Sequence, residues 1–263
     1  MKAIILAAGA GKRLAKYTKG LPKCMLEFNG KTLIQMQIDT LRSCGISDII
    51  IVKGYMPEKI NVQGVRCYIN EDYANTNMVE TLMRTEEEMN DEILVCYGDI
   101  LYEKRIIEQI LEASIDIGVA VDKDYWEYWK ARLDNPEKDT ESLVIDKEGK
   151  IIELGEGSCS KDKAKVRYVG LIKFSKKGIE SFKKVYHENK KRYFDKNEPW
   201  LKSESFKKAY MTCVLQALVN TGYRVEPIII SRGWLEFDTE EDYEKYNQWL
   251  KEDTLDRFFN FGN

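Results

Sequence analysis

Leu6-Ala7-Ala8-Gly9-Ala10-Gly11-Lys12-Arg13-Leu14, followed after a short gap by Pro22-Lys23, is the stretch from which the rest of the chain is read. It comes directly after the apolar run Lys2 to Leu6, which reads as a strand. Ala and Gly leave backbone N–H groups uncovered, so an anion can approach the main chain at Leu6, Ala7, Ala8, Gly9, Gly11 and Lys12, while Arg13 and Lys23 add full positive charge. The combination suits a nucleoside triphosphate. Two familiar glycine loops fail on residues. A dinucleotide fingerprint needs a small residue where Leu14 stands, and a Walker-type loop needs Gly at position 6 and Ser or Thr at position 13. The remaining alternative is a plain strand-to-helix turn whose glycines serve geometry only.

Working outward, apolar strands alternate with amphipathic helices through the first half: strands at 2–6, 48–53, 66–69, 92–97 and 115–121, and helices at 32–44, 77–89 and 103–113. Such alternation predicts an α/β fold, a Rossmann-like, doubly wound, mostly parallel sheet with helices on both faces and ligands at the carboxyl ends of its strands. After Val121 the character changes. An aromatic-rich polar stretch, 122–139, precedes a hairpin through Asp146-Lys147-Glu148-Gly149 and a strand at 166–174, then helices at 175–190 and 203–220, a strand at 224–230 and a last helix at 240–251. With no linker or repeat, residues 1–263 are expected to form one domain: a nucleotide-binding half (1–121), an acceptor half with a small β excursion (122–238), and a C-terminal helix and tail (239–263).

Composition closes off other classes. The 263 residues are 43% hydrophobic with a net charge of -3 and no basic tract, so nucleic acid is not an expected partner. No segment reaches the roughly 20 apolar residues of a membrane helix, and Met1-Lys2 leads straight into the first strand, so a cytoplasmic location is expected. Six cysteines lack any C-x-x-C spacing and read as free thiols, Cys24 most simply as a buried one. The single histidine, His187, lies in a polar helix, which leaves Ser-His or Cys-His catalysis without a base.

Asp99 follows Gly98 at the end of an apolar strand, and Asp238 ends Trp234-Leu235-Glu236-Phe237-Asp238 before a helix. Two carboxylates at strand ends invite a divalent cation, Mg2+, whose remaining ligands are water and phosphate oxygens. Asp238 could instead cap the helix with Glu241 as its capping-box partner. The reaction these parts suit is nucleotidyl transfer: Arg13 holds the leaving pyrophosphate and Lys23 the α-phosphate. Arg132 can grip an acceptor phosphate bidentately, or pair with Asp134 or Glu127. Tyr125, Trp126, Tyr128 and Trp129 form a cage for a quaternary ammonium or, alternatively, a packed helical stripe.

The Leu-Ala-Ala-Gly-x-Gly-x-Arg-Leu stretch with Pro22-Lys23, the Gly98-Asp99 pair and the late Glu236-x-Asp238 together resemble the nucleotidyltransferases that make nucleotide sugars and CDP-activated headgroups. Asn75-Thr76-Asn77-Met78-Val79-Glu80-Thr81-Leu82 resembles their cytidylyltransferase branch, which includes the phosphocholine cytidylyltransferases. Val121-Asp122-Lys123, 129–142, Ile151 to Gly155, Tyr168 to Leu171 and Tyr210 to Leu218 are similar to the capsule-pathway phosphoglutamine subgroup. The resemblance implies CTP as donor and a small, zwitterionic phosphorylated acceptor such as phosphoglutamine, phosphocholine or 2-aminoethylphosphonate, within capsule or surface polysaccharide synthesis. It implies that Ala8 and Gly9, with the region of Tyr73 to Asn77, hold base and ribose, and it marks Asp122, Trp129, Arg132, Glu153, Gly170 and Glu236 for the acceptor.

Two positions depart from the pattern. Lys12 replaces the usual Ser or Thr, and Cys213 replaces an acid, which moves the counter-charge for an ammonium to Asp122, Asp124, Glu153 or Glu156. A sugar-1-phosphate transferase using UTP or dTTP and a non-catalytic nucleotide-sensing subunit stay open as alternatives, as does the oligomeric state, a homodimer included.

Overall fold

The computed structural model describes residues 1–157, 159 and 161–262. In chain order the elements are β1 (Lys2–Ala7), β2 (Glu27–Phe28), β3 (Lys31–Thr32), α1 (Leu33–Ser43), β4 (Ile49–Lys53), β5 (Arg66–Ile69), α2 (Met78–Met83), β6 (Ile93–Tyr97) and β7 (Ile100–Tyr102). Then come α3 (Lys104–Glu112), β8 (Ile117–Asp122), α4 (Tyr125–Arg132), β9 (Glu141–Ile145), β10 (Ile151–Gly157), β11 (Arg167–Phe174), α5 (Lys176–Tyr193), α6 (Met211–Asn220), β12 (Glu226–Ile230), β13 (Trp234–Glu236) and α7 (Glu240–Lys251).

A seven-stranded sheet runs in the order β12-β8-β11-β6-β1-β4-β5. All its pairings are parallel except those of β11, which lies antiparallel between β6 and β8. Because successive strand residues point to opposite faces, β1 feeds two cores. Ala3, Ile5 and Ala7 pack with Ile34, Ile38 and Leu41 of α1 on one side. Ile4 and Leu6 join Phe182 and Val185 of α5 and Leu215 and Leu218 of α6 on the other. Each such aliphatic side chain removed from water contributes roughly 1.5–3 kcal/mol, which explains why this strand carries no polar residue after Lys2.

Two expected helices are shorter than predicted. The first ends at Met83 and gives way to a 3-10 turn at Glu86–Glu88, where the Thr85 hydroxyl donates back to Leu82 O. The second starts at Met211 because the preceding segment is engaged elsewhere. Asn77 N donates to Lys207 O and Val79 N to Ala209 O, so this stretch satisfies the free N–H groups at the start of α2.

Three small antiparallel pairs lie outside the main sheet, of which β2–β3 and β7–β13 were not foreseen. The β9–β10 hairpin forms a separate sheet, as expected from its turn. The β7–β13 ribbon pairs Glu236 with Ile100 and Leu235 with Leu101, joining distant parts of the chain at the end of β6. Among the described residues no helix is long and apolar enough to cross a membrane.

Candidate active site

β1 ends where its carboxyl end meets that of β6, and the chain between Ala7 and Lys12 borders a cleft of about 970 Å³. Gly11 adopts the left-handed conformation at φ 61°, and a Cβ there would stand 3.0 Å from Cβ of Lys23. The turn that follows is a single 3-10 turn, Lys12–Leu14, anchored by buried Leu14. It does not open a helix, in line with the exclusion of a dinucleotide fingerprint. Tyr55 N donates to Ala8 O at 3.0 Å and Gly98 N to Leu6 O at 3.0 Å, so the loop is tied to both neighbouring strand ends.

All the residues expected on the nucleotide side, Leu6, Ala7, Ala8, Gly9, Gly11, Lys12, Tyr73, Asn77 and Gly98, line this cleft together with Lys23 and Asp99. Asn77 caps α2, its side chain accepting from Met78 N. Tyr55 and Tyr73 meet edge to face, with ring centroids 6.1 Å apart.

At the cleft's end Lys23 Nζ donates to Asp99 Oδ2 at 2.7 Å and to Asp238 Oδ1 at 3.0 Å. Arg13 reaches Asp238 Oδ1 at 2.8 Å while remaining 70% exposed, free to swing toward an anion. Burial works against the Lys23 ammonium, but Asp99 and Asp238 outweigh it and raise its pKa, keeping the group charged. Burial and Glu236 raise the Asp238 carboxyl against the pull of Lys23 and Arg13. Cys24, next along, is buried and its thiol is pushed up to about 12, so it is not a reactive thiolate.

The two carboxylates are not brought together by the parallel sheet, as the sequence suggested. Asp99 follows β6, but Asp238 arrives on the β7–β13 ribbon, where Phe237 N donates to Asp99 O at 2.9 Å. Nor does Asp238 cap α7. Thr239 does, in a capping box with Asp242 rather than Glu241, and the Asp238 side chain is left to the cations.

On the acceptor side the structure sets Asp122, Trp129 and Arg132 in the core. Arg132 has a side chain only 1% exposed and pairs bidentately with Asp242, at 2.7 and 2.9 Å, and with Glu236. It is unavailable to a phosphate, and Asp134 and Glu127 are not these partners. Trp129 is fully buried between the guanidinium groups of Arg132 and Arg167, 4.6 and 4.4 Å from the ring. Tyr125 and Tyr128 are buried beside it, so the aromatic stripe is core rather than a cage. Asp122 is buried and accepts from Trp234 Nε1, Arg232 N and Asp124 N. Glu153 pairs with Lys163. Gly170, at φ 81°, lets the Tyr97 ring lie against the backbone, since a Cβ there would fall 2.8 Å from it. Glu236 stays near the centre: burial raises its carboxyl, but Arg132 and Arg167 prevail and hold it down at about 2. Sequence reasoning missed Tyr55, Thr81, Lys202, Glu204, Lys208 and Tyr210 in the cleft wall. Three of these, Glu204, Lys208 and Tyr210, lie in the segment read as helix, where no apolar periodicity marks an extended stretch.

The sequence matches the family described as the MobA-like NTP transferase domain over residues 3–236. A CTP:phosphoglutamine cytidylyltransferase of Campylobacter jejuni is 34% identical over 260 residues, covering 93% of this chain and 98% of that protein. A choline-phosphate cytidylyltransferase of Streptococcus pneumoniae is 40% identical over 106 residues, 39% of this chain and 46% of that protein. Among solved structures, a CTP:phosphocholine cytidylyltransferase from Streptococcus pneumoniae superposes with a TM-score of 0.70 at 23% identity, covering 95% of this chain and 98% of that one. That last likeness speaks for the shared fold.

Proposed function

We infer the function from one premise: the chain belongs to the MobA-like NTP transferase family, and it is a nucleotidyltransferase. Our reading is that it transfers CMP from CTP to a small phosphorylated acceptor. An acceptor phosphate or phosphonate oxygen forms a bond to the α-phosphorus of CTP, the bond from that phosphorus to the bridging oxygen breaks, and pyrophosphate departs with its electron pair. The observation that carries the reading is the Lys23 ammonium clamped between Asp99 and Asp238 at the end of the glycine-loop cleft.

In this reading the main chain at Ala8 and Gly9, with Tyr73 to Asn77, holds base and ribose. Lys23 neutralises the α-phosphate, and exposed Arg13 leaves Asp238 to hold the departing pyrophosphate. Losing one preorganised donor of this kind costs on the order of 3 kcal/mol of transition-state stabilisation. Asp99 and Asp238 fit a magnesium ion, because two carboxylates already converge on one cation and magnesium takes few protein ligands. No group of three or more His, Cys, Asp or Glu that could hold a metal is found among the described residues, so water and phosphate oxygens would complete the ligand shell. When bound, the ion supplies charge neutralisation at the phosphates. Positioning of the two anions rests with the chain.

Pyrophosphate release tests this, using CTP, magnesium and a panel of phosphocholine, 2-aminoethylphosphonate, phosphoglutamine and sugar 1-phosphates, with UTP and dTTP as competing donors. CTP-dependent release with a small zwitterion is expected. Silence across the panel overturns the reading, and release only with UTP or dTTP and a sugar phosphate replaces it.

A further inference from the structure

The carboxylates that sequence reasoning offered as counter-charges for an ammonium are all committed. Asp122 holds Trp234 and two backbone N–H groups, Asp124 accepts from Ser231, Glu153 pairs with Lys163, and Glu156 pairs with Lys202 at 2.8 Å. Glu141 is different. It opens β9 opposite Gly157 of β10, half-buried, and its carboxylate makes no hydrogen bond or ion pair among the described residues.

Its surroundings place it on the acceptor side. Its neighbour Ser142 accepts from Glu156 N at 3.1 Å, and Glu156 in turn holds Lys202 of the cleft wall. Glu141 acts electrostatically on Tyr97, which lines the cleft, as does Asp99, and on Tyr168. The Tyr168 hydroxyl is itself buried, and its ring meets that of Tyr97 edge to face with centroids 5.6 Å apart. Nearby cations are already engaged: Arg167 donates to Asp139 O at 2.8 Å and covers Trp129, and Lys202 holds Glu156. Burial pushes the Glu141 carboxyl up, Arg167 draws it down, and Glu236 and Asp139 push it up again. A desolvated carboxylate beside two like charges, whose nearest cations Arg167 and Lys202 are shared with other groups, is costly in the free protein. A cationic ligand group removes that cost.

We propose that Glu141 is the specificity-determining carboxylate of the acceptor site, pairing with a positively charged ammonium on the phosphorylated acceptor. The proposal rests on the transferase reading above. Its own content is that charge on the acceptor is read at position 141.

The test uses acceptor pairs that differ only in charge: phosphocholine against 3,3-dimethylbutyl phosphate, and phosphoethanolamine against propyl phosphate, each with CTP and magnesium. The wild type is expected to favour the charged member by about 10- to 100-fold in kcat/KM, the span of one charge-assisted hydrogen bond. Glu141→Gln is expected to erase at least tenfold of that preference through KM of the charged acceptor, leaving KM for CTP and the neutral acceptors unchanged. Glu141→Asp should recover part of it. At neutral pH Glu141→Gln should melt no lower than the wild type, whereas a structural role for the carboxylate predicts a lower melting temperature. Turnover without charge preference, or an equal loss on both members, overturns the role of Glu141 while leaving the transferase reading intact. Absence of pyrophosphate release with every acceptor overturns the transferase reading and this proposal with it.

Discussion

Replacing Asp242 by Asn isolates what the buried Arg132 network contributes. The Asp242 carboxylate accepts from Arg132 Nε at 2.7 Å and Nη2 at 2.9 Å, and from the backbone N–H groups of Asp238 at 3.0 Å and Thr239 at 2.9 Å. Every one of those partners is a donor. Oδ1 serves Arg132 Nε alone, whereas Oδ2 serves Arg132 Nη2 and both backbone N–H groups, so an amide in the same place sets its NH2 against Arg132 Nε in one orientation and against the other three donors in the other. The guanidinium, 1% exposed, keeps Glu236 as its one charged partner and a single neutral bond to the amide oxygen. Breaking a buried ion pair from one side costs about 3–5 kcal/mol, and the surviving Glu236 contact sets the expectation at the lower end, about 3 kcal/mol. For a chain of this size that is roughly 6–12 °C in Tm. Thermal and urea unfolding of Asp242→Asn, Arg132→Met and the double variant measure it. Because the double variant no longer buries an unpaired cation, it should be less destabilised than the sum of the singles by at least about 1 kcal/mol. An Asp242→Asn protein within about 1 kcal/mol of wild type, or strictly additive singles, refutes the reasoning.

Lys23→Ala should lower turnover by about 100-fold or more, with circular dichroism unchanged, since the side chain ends at the site; a loss under tenfold would remove Lys23 from the chemistry. Gly170→Ala should destabilise by about 1–3 kcal/mol, because φ 81° disfavours a Cβ and Tyr97 occupies its space; unchanged unfolding would refute it. The Glu236 carboxyl is held at about 2, below the 4.5 of a free glutamate, so its contribution to stability is complete above about 4.5 and is lost as pH falls through about 2. The stability gap between wild type and Glu236→Gln should therefore shrink on acidification from pH 5 to 2, and a gap that widens contradicts the sign.

The fold was legible because β1, β4 and β6 are buried on both faces and carry unbroken apolar runs, a pattern that only a covered parallel sheet explains. That the residues named for the nucleotide share one cleft has a local reason: they sit within short segments following those strands. The acceptor side was not legible. Arg132 meets Asp242 and Glu236 only through the tertiary packing of α4 on α7 and β13, and from sequence the nearest charges, Asp134 and Glu127, are the natural partners to name. The helix predicted from Ser203 failed similarly, because Lys207 O and Ala209 O serve α2 instead of their own turn. Nothing within residues 203–210 signals a demand that originates at Asn77.

The β7–β13 ribbon has a consequence for the order in which the protein becomes competent. Every residue lining the cleft lies at or before Tyr210, whereas the second carboxylate arrives with Asp238, just after the ribbon's later strand. Chains emerge from synthesis amino end first and their early segments fold first. A nascent chain thus acquires the walls of its nucleotide cleft before it can close the Lys23 clamp. A chain ended before residue 238 holds every residue of the cleft wall without the second carboxylate that meets Lys23.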